Sequence, residues 1–299
     1  IIVSQEAYHG TSDLTSGCSP ALGTGQTLAA TTRLVSAPDQ YRFEGEDLGD
    51  WFAAQIQAQI DDMNANGIKF AGFLADSIFS SDGVMPNPIG FLKKAVDVVH
   101  ANGGIFIADE VQPGFARTGD SFWGFGRHGV VPDIITTGKP MGNGIPVSGL
   151  LAKDHVLSAF SQKIPYFNTF GGNPVAMAAA QAVLKTIQEE ELQAHSQRLG
   201  GLLLTELRKL MEKYDCVGDV RGAGLFIGFE LVQDRFTKMP DKALALDLIE
   251  ELRNTHRVLT SVAGPYGNVL KLRPPLVFQE KDIDWLVGAL DQALSKLQK

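Results

Sequence analysis

Between residues 69 and 108 the chain alternates two apolar runs with one amphipathic stretch, and this pattern limits most strongly what it can build. Lys69–Ala75 is mostly apolar, Ile89–Val99 carries apolar residues three and four apart, and Ile105–Ala108 is apolar again. The spacing predicts strand, helix, strand, with Pro88 opening the helix and Asn102-Gly103-Gly104 closing it. Two buried strands joined by a helix favour a parallel βαβ unit, hence an α/β sheet with helices on both faces.

The pattern continues through predicted strands at 133–137 and 147–152, each bounded by Gly and Pro. An alanine-rich helix follows from Pro174 to about Glu190, with Asn173 as its cap, and its alanines suggest close packing on both sides. Beyond it, helices at 199–214, 241–254 and 281–297 and strands at 225–231 and 269–272 no longer alternate regularly. With 299 residues the chain passes the size, roughly 250–300 residues, at which one core tends to split. The expectation is a large domain over 1–194, incomplete at its N-terminal side, and a smaller C-terminal α+β domain over 195–299. Ile1-Ile2-Val3 reads as a strand from the first residue, so the sequence is expected to start within a domain.

A net charge of -8 without any run of Lys and Arg opposes binding to nucleic acid. No apolar run approaches the ~18 residues of a membrane span. Two cysteines, Cys18 and Cys216, are too few for a disulfide framework, which makes a reducing cytoplasm the simplest compartment. No His or Cys pair has zinc-ligand spacing, so no metal is expected. Gly222-Ala223-Gly224 precedes a strand rather than a helix, and Gly138-Lys139 lacks the other residues of a phosphate loop, which argues against nucleotide binding.

Ligands of open α/β sheets bind beyond the carboxyl ends of the strands. There Ile105–Ala108 delivers Asp109-Glu110-Val111-Gln112, and the strand at 133–137 delivers Gly138-Lys139. A carboxylate leaving a wholly apolar strand costs several kcal/mol unless a cation or donor meets it. A protonated pyridine ring is such a partner, and a nearby lysine can join the aldehyde of the same ring as a Schiff base. Taken alone, Asp109 can equally be a helix cap or a salt-bridge partner, and Lys139 a solvated charge.

The surrounding blocks decide between these readings. Ala108–Gln112, Gly114–Gly119, Pro132-Asp133-Ile134 and Gly138-Lys139 resemble the signature of class III aminotransferases. Tyr8-His9-Gly10, Phe167–Pro174, Val220-Arg221-Gly222 and Pro274-Pro275-Leu276 extend the resemblance over nearly the whole chain. It implies a fold-type I α/β architecture, a pyridoxal 5′-phosphate cofactor, and transfer of an amino group between an amine or amino acid and a keto acid or aldehyde. By the same resemblance Lys139 holds the cofactor, Asp109 pairs with the pyridine nitrogen, and Val111 and Tyr8 cover the two faces of the ring. Gln112 approaches the phenolic oxygen, while Thr169 reaches the cofactor phosphate of a neighbouring subunit, which implies a homodimer. Arg117, Arg221 and His9 are read as structural.

Two departures bear on the substrate. The family usually has a glutamate where this chain has Asp76, and many members have an arginine where this chain has Lys271. Lysine offers a point charge instead of a two-pronged donor. Lys271 with Arg273, Asn268 and Phe278 is similar to the phospho-lyase branch, which acts on phosphorylated amino alcohols such as phosphoethanolamine. The family's N-terminal portion, with its phosphate-cradling Gly-Ser loop, does not occur before the Tyr-His-Gly block. A catalytically silent module is therefore a third reading.

Overall fold

The computed structural model describes residues 1–298. Its N-terminal part contains β1 (Ile2–Ser4), α1 (Asp13–Ser16), β2 (Arg33–Val35), α2 (Leu48–Ala65), β3 (Gly72–Ala75), α3 (Leu92–Ala101), β4 (Ile105–Asp109), β5 (Ile134–Thr137) and β6 (Gly149–Ala152). These six strands form one sheet in the order β2-β1-β3-β4-β5-β6. All neighbours are parallel except the antiparallel pair β5 and β6. The predicted βαβ unit is thus β3-α3-β4, in register from Gly72 opposite Ile105 to Ala75 opposite Ala108.

Helices α2 and α3 pack together on one face of this sheet. The Asp47 side chain caps α2 by accepting from Asp50 N at 2.8 Å. Phe52, Ile56, Ile60 and Met63 then recur on one helical stripe and are fully buried. Each such side chain contributes about 1.5–3 kcal/mol when removed from water. They meet Phe73 and Phe106, whose rings stack with centroids 5.9 Å apart. The strands alternate in burial: Phe106 and Ala108 are buried, whereas Ile105 and Ile107 are partly exposed. The mostly parallel sheet flanked by helices is the expected α/β architecture.

The chain continues through α4 (Asp154–Ser161), α5 (Pro174–Glu189) and α6 (Leu192–Lys213). Asn173 caps α5 as expected, accepting from Ala176 N at 3.0 Å, with Pro174 in the first turn. The alanines do not pack on both sides: only Ala176 and Ile187 of this helix are buried. A left-handed Glu191 separates α5 from α6, which therefore starts seven residues before the periodicity suggested.

Then follow β7 (Val217–Ala223), β8 (Phe226–Asp234), β9 (Met239–Pro240), α7 (Lys242–His256), β10 (Val262–Ala263), β11 (Val269–Leu272) and α8 (Glu280–Leu297). The strands make a second, antiparallel sheet in the order β10-β11-β8-β7, with β9 pairing β8. Leu199, Leu203 and Leu207 of α6, Leu248 and Leu252 of α7, and Leu290 and Leu294 of α8 build a separate core on it. The turn between β7 and β8 needs Gly224, because a Cβ there would stand 2.6 Å from the Arg117 carbonyl oxygen. Gly222 and Ala223 thus end strand β7 and Gly224 opens a hairpin turn, which is not a nucleotide loop.

Arg221 ties the two sheets together. Its guanidinium donates to the Gly83 and Val84 carbonyls at 2.7 and 2.8 Å, just beyond β3, and pairs with Glu230 and Asp219 at 2.7 Å. Glu230 also receives Arg42 at 2.5 Å; burial would raise its carboxyl, and these two cations overcome that and hold it below the usual range. Replacing one member leaves an uncompensated buried charge. Arg221→Ala is therefore expected to lower unfolding stability by about 3–5 kcal/mol, read as a fall in the urea midpoint; a midpoint within about 0.5 kcal/mol of the native one contradicts this.

Candidate active site

Strand pairing sets the site. Asp109 stands opposite Thr136 in the parallel pair of β4 and β5, and Glu110 N donates to the Thr136 carbonyl at 2.8 Å. Three residues after Thr136, the turn closed by Met141 N on the Gly138 carbonyl at 2.7 Å presents Lys139 at the same sheet edge. Lys139 is exposed, and its Nζ lies 6.0 Å from the centroid of the Tyr8 ring.

Asp109 is buried, and each oxygen has a donor. His9 Nδ1 lies 2.7 Å from Oδ2, and Val111 N donates to Oδ1 at 3.1 Å. A hydrogen on Nδ1 leaves His9 Nε2 an acceptor, and this buried atom has no partner. The His9 backbone N donates to Ser19 Oγ at 2.8 Å, which fixes the ring's approach. His9 is therefore hydrogen-bonded structure, as its residue type suggested, but what it orders is the central carboxylate. The sequence offered only its adjacency to Tyr8 as a clue.

The neighbouring Glu110 does something else. Its carboxylate accepts from Ser77 Oγ at 2.9 Å, Gly124 N at 2.6 Å and Phe125 N at 3.0 Å, so it anchors the turn at 124–128. Burial nevertheless pushes its carboxyl up to about 7. Two adjacent carboxylates at one strand end thus take separate tasks, one in the cleft and one in the wall.

A cavity of about 800 Å³ opens over this edge, lined among others by Val111, Gln112, Arg117, Lys139, Phe226 and Arg273. A second, of about 870 Å³, shares Lys139 and is walled by Tyr166, Asn168 and Phe170. Thr169 lies exposed on that second loop, apart from the other expected residues. Arg273 Nη1 donates to Gln112 Oε1 at 3.1 Å, bridging the second sheet to the first. Arg117 donates to the carbonyls of Leu225 and Pro274, in keeping with its structural reading. Lys271, in the middle of β11, has an ammonium lowered to about 8, first by burial and then by Arg273. Among the described residues no cluster of His, Cys, Asp and Glu can hold a metal ion, and no helix is long and apolar enough to cross a membrane.

Comparison with known proteins gives this geometry its family. The Aminotransferase class-III family matches residues 1–294, and the chain belongs to it. It is 39% identical to the Drosophila melanogaster alanine–glyoxylate aminotransferase 2-like protein, over 96% of this chain and 61% of that one. It is 37% identical to ethanolamine-phosphate phospho-lyase homolog 1 of Caenorhabditis elegans, over 100% of this chain and 68% of the relative. A solved phospholyase from Arthrobacter, in complex with phosphoethanolamine, matches with a TM-score of 0.93 at 37% identity, over 98% of this chain and 70% of that one. A Bacillus anthracis aminotransferase matches with a TM-score of 0.90 at 30% identity, over 99% and 69%. The chain thus spans between three fifths and seven tenths of the length of these relatives.

The cofactor of this family is pyridoxal 5′-phosphate. The residues present suit it: an ordered carboxylate, an amine at the same edge, an aromatic ring facing that amine, and a cavity of sufficient volume.

Lys271 supplies a pH test. An anion bound beside it raises its pKa, so affinity holds below about 8 and falls as pH rises through that value. Inorganic phosphate binding, measured by calorimetry, is expected to weaken up to ~10-fold per pH unit above that point, and to stay level to pH ~10 in Lys271→Arg, whose guanidinium remains charged. A native affinity that is flat from pH ~7.5 to ~10 contradicts this.

Proposed function

We propose that the protein is a pyridoxal phosphate-dependent aminotransferase that moves an amino group from an amine or amino acid to a keto acid or aldehyde. One observation carries the proposal: the Asp109 carboxylate, held by His9 at 2.7 Å, shares a sheet edge with Lys139. When bound, the cofactor supplies an electron sink for cleavage of a bond at the substrate carbon. In this reading Asp109 keeps a proton on the ring nitrogen, and His9 keeps Asp109 in line. Val111 and Tyr8 close the two faces of the ring and exclude water from it. Gln112 approaches the phenolic oxygen, and Lys139 Nζ would hold the cofactor and then carry a proton to and from the substrate carbon.

Thr169 completes the site from a second copy of the chain. The loop bearing it exposes Tyr166, Phe167 and Phe170 by 73%, 86% and 81%, an apolar strip of the kind that marks an interface. A homodimer is the assembly that this strip and the position of Thr169 support. Residues 1–194 and 195–299 are proposed as the two domains, supported by the two separate hydrophobic cores. The cytoplasm is proposed as its compartment, supported by two unpaired cysteines; relatives in Arabidopsis thaliana and Homo sapiens are named as mitochondrial.

A second reading has its own observation. Arg273 and Lys139, which line the cleft, both act on the charge of Lys271, and an anionic substrate end suits such a group of cations. A phosphorylated amino alcohol offers one, and the same residues would then serve elimination of phosphate. With pyridoxal phosphate, phosphoethanolamine and pyruvate supplied, the aminotransferase reading expects alanine without inorganic phosphate. Phosphate release without alanine replaces it by the lyase, and neither product at saturating cofactor contradicts the lyase.

A further inference from the structure

Asp76 is shorter by one methylene than the residue expected at the end of β3, yet it is not idle. Its Oδ1 accepts from Ile78 N at 3.0 Å, and its Oδ2 accepts from Ser80 N at 3.1 Å and from the Ser80 hydroxyl. Ser80 is fully buried. Its Oγ in turn receives Gln112 Nε2 at 2.5 Å, and Gln112 Oε1 receives Arg273 Nη1 at 3.1 Å. Carboxylate, hydroxyl, amide and guanidinium thus form one hydrogen-bonded chain from β3 to the end of β11.

We propose that Ser80 is a positioning residue of the site: its hydroxyl extends the reach of Asp76 to Gln112 and fixes which end of that amide faces Arg273. The argument is a count of protons. A hydroxyl has one hydrogen. With that hydrogen given to a carboxylate, Ser80 can only accept from Gln112, so the amide nitrogen must face it. A guanidinium only donates, so the amide oxygen must face Arg273. Both ends demand the same orientation. A flipped amide would set its carbonyl against the Ser80 oxygen and its NH₂ against the guanidinium, leaving donors and acceptors unmatched in a part-buried setting. Burial drives the Asp76 carboxyl up, with nearby Asp109 adding to it, and the Ser80 hydroxyl with the two backbone N–H groups opposes this.

The orientation leaves one Gln112 N–H unused by the protein. Under the reading proposed above, on which this step rests, that hydrogen serves the phenolic oxygen of the cofactor ring. Without the Ser80 hydroxyl the amide keeps only its Arg273 contact, and the donor is lost part of the time. A phenolic oxygen with a weaker donor holds the neighbouring proton more tightly, so the pH midpoint of the bound cofactor's visible absorbance rises.

The test compares the native chain with Ser80→Ala and Ser80→Thr, each checked for native melting behaviour. In protein labelled with [¹⁵N]glutamine, the Gln112 side-chain amide pair is identified by its loss in Gln112→Glu. We expect its hydrogen exchange to quicken about ten-fold in Ser80→Ala, the loss of roughly one such hydrogen bond, and to return in Ser80→Thr. With pyridoxal phosphate bound, the absorbance midpoint is expected to rise by about one pH unit in Ser80→Ala and to be restored by threonine. An unchanged amide pair in Ser80→Ala overturns the proposal. A quickened amide with an unchanged midpoint overturns the link to the cofactor. Absence of any visible band in the native protein counts against the cofactor reading, and the amide measurement, which needs no cofactor, still decides the role of Ser80.

Discussion

The parallel pairing of β4 with β5 is the contact from which the site follows. It places Asp109 opposite Thr136, and three further residues bring the Lys139 amine to the edge where the carboxylate emerges. A slip of one residue would turn Asp109 to the other face of the sheet. The register is specified by burial, because Phe106 and Ala108 face the core under α2 and α3 while Ile105 and Ile107 do not. The apolar face of an inner strand therefore determines where the chemistry lies.

Around this edge the charges are divided by their partners. Asp109 is ordered by His9, Glu110 is committed to the turn at 124–128, and Asp76 works through Ser80. From the other sheet Arg273, just beyond β11, lines the cleft, with Lys271 two residues before it on β11, while Arg221 and Arg42 hold that sheet in place through Glu230. Asp109 and Lys139 thus come from one sheet and Arg273 from the other, and the cleft between them depends on the buried ionic link at Arg221. Rigid attachment of this kind keeps a site within the narrow tolerance that proton transfer requires.

Much of this was legible in the residues. The β3-α3-β4 unit follows from period and from its Asn-Gly border, although α3 opens at Leu92 and not at Pro88, and the Asn173-Pro174 start of α5 follows from cap chemistry. Helix α2 was not anticipated, although Phe52, Ile56 and Ile60 have helical spacing, because polar residues with three glutamines and three aspartates surround them from 50 to 66. Strand β7 was missed because its Gly, Asp and Arg residues carry little strand signal until Glu230 and β8 pair with them. Within the site, Asp109 and Lys139 could be named from their strand ends. The roles of His9 and Ser80 could not, since each depends on a hydrogen bond to a residue far away in the chain.

The central claim is that one aromatic aldehyde fits between Asp109 and Lys139. Borohydride reduction of the protein with saturating pyridoxal phosphate, followed by peptide mass mapping, tests it directly. The account predicts a pyridoxyl group on the peptide containing Lys139, and a much smaller yield in Asp109→Ala. Labelling spread over surface lysines, with none enriched at Lys139, would contradict it.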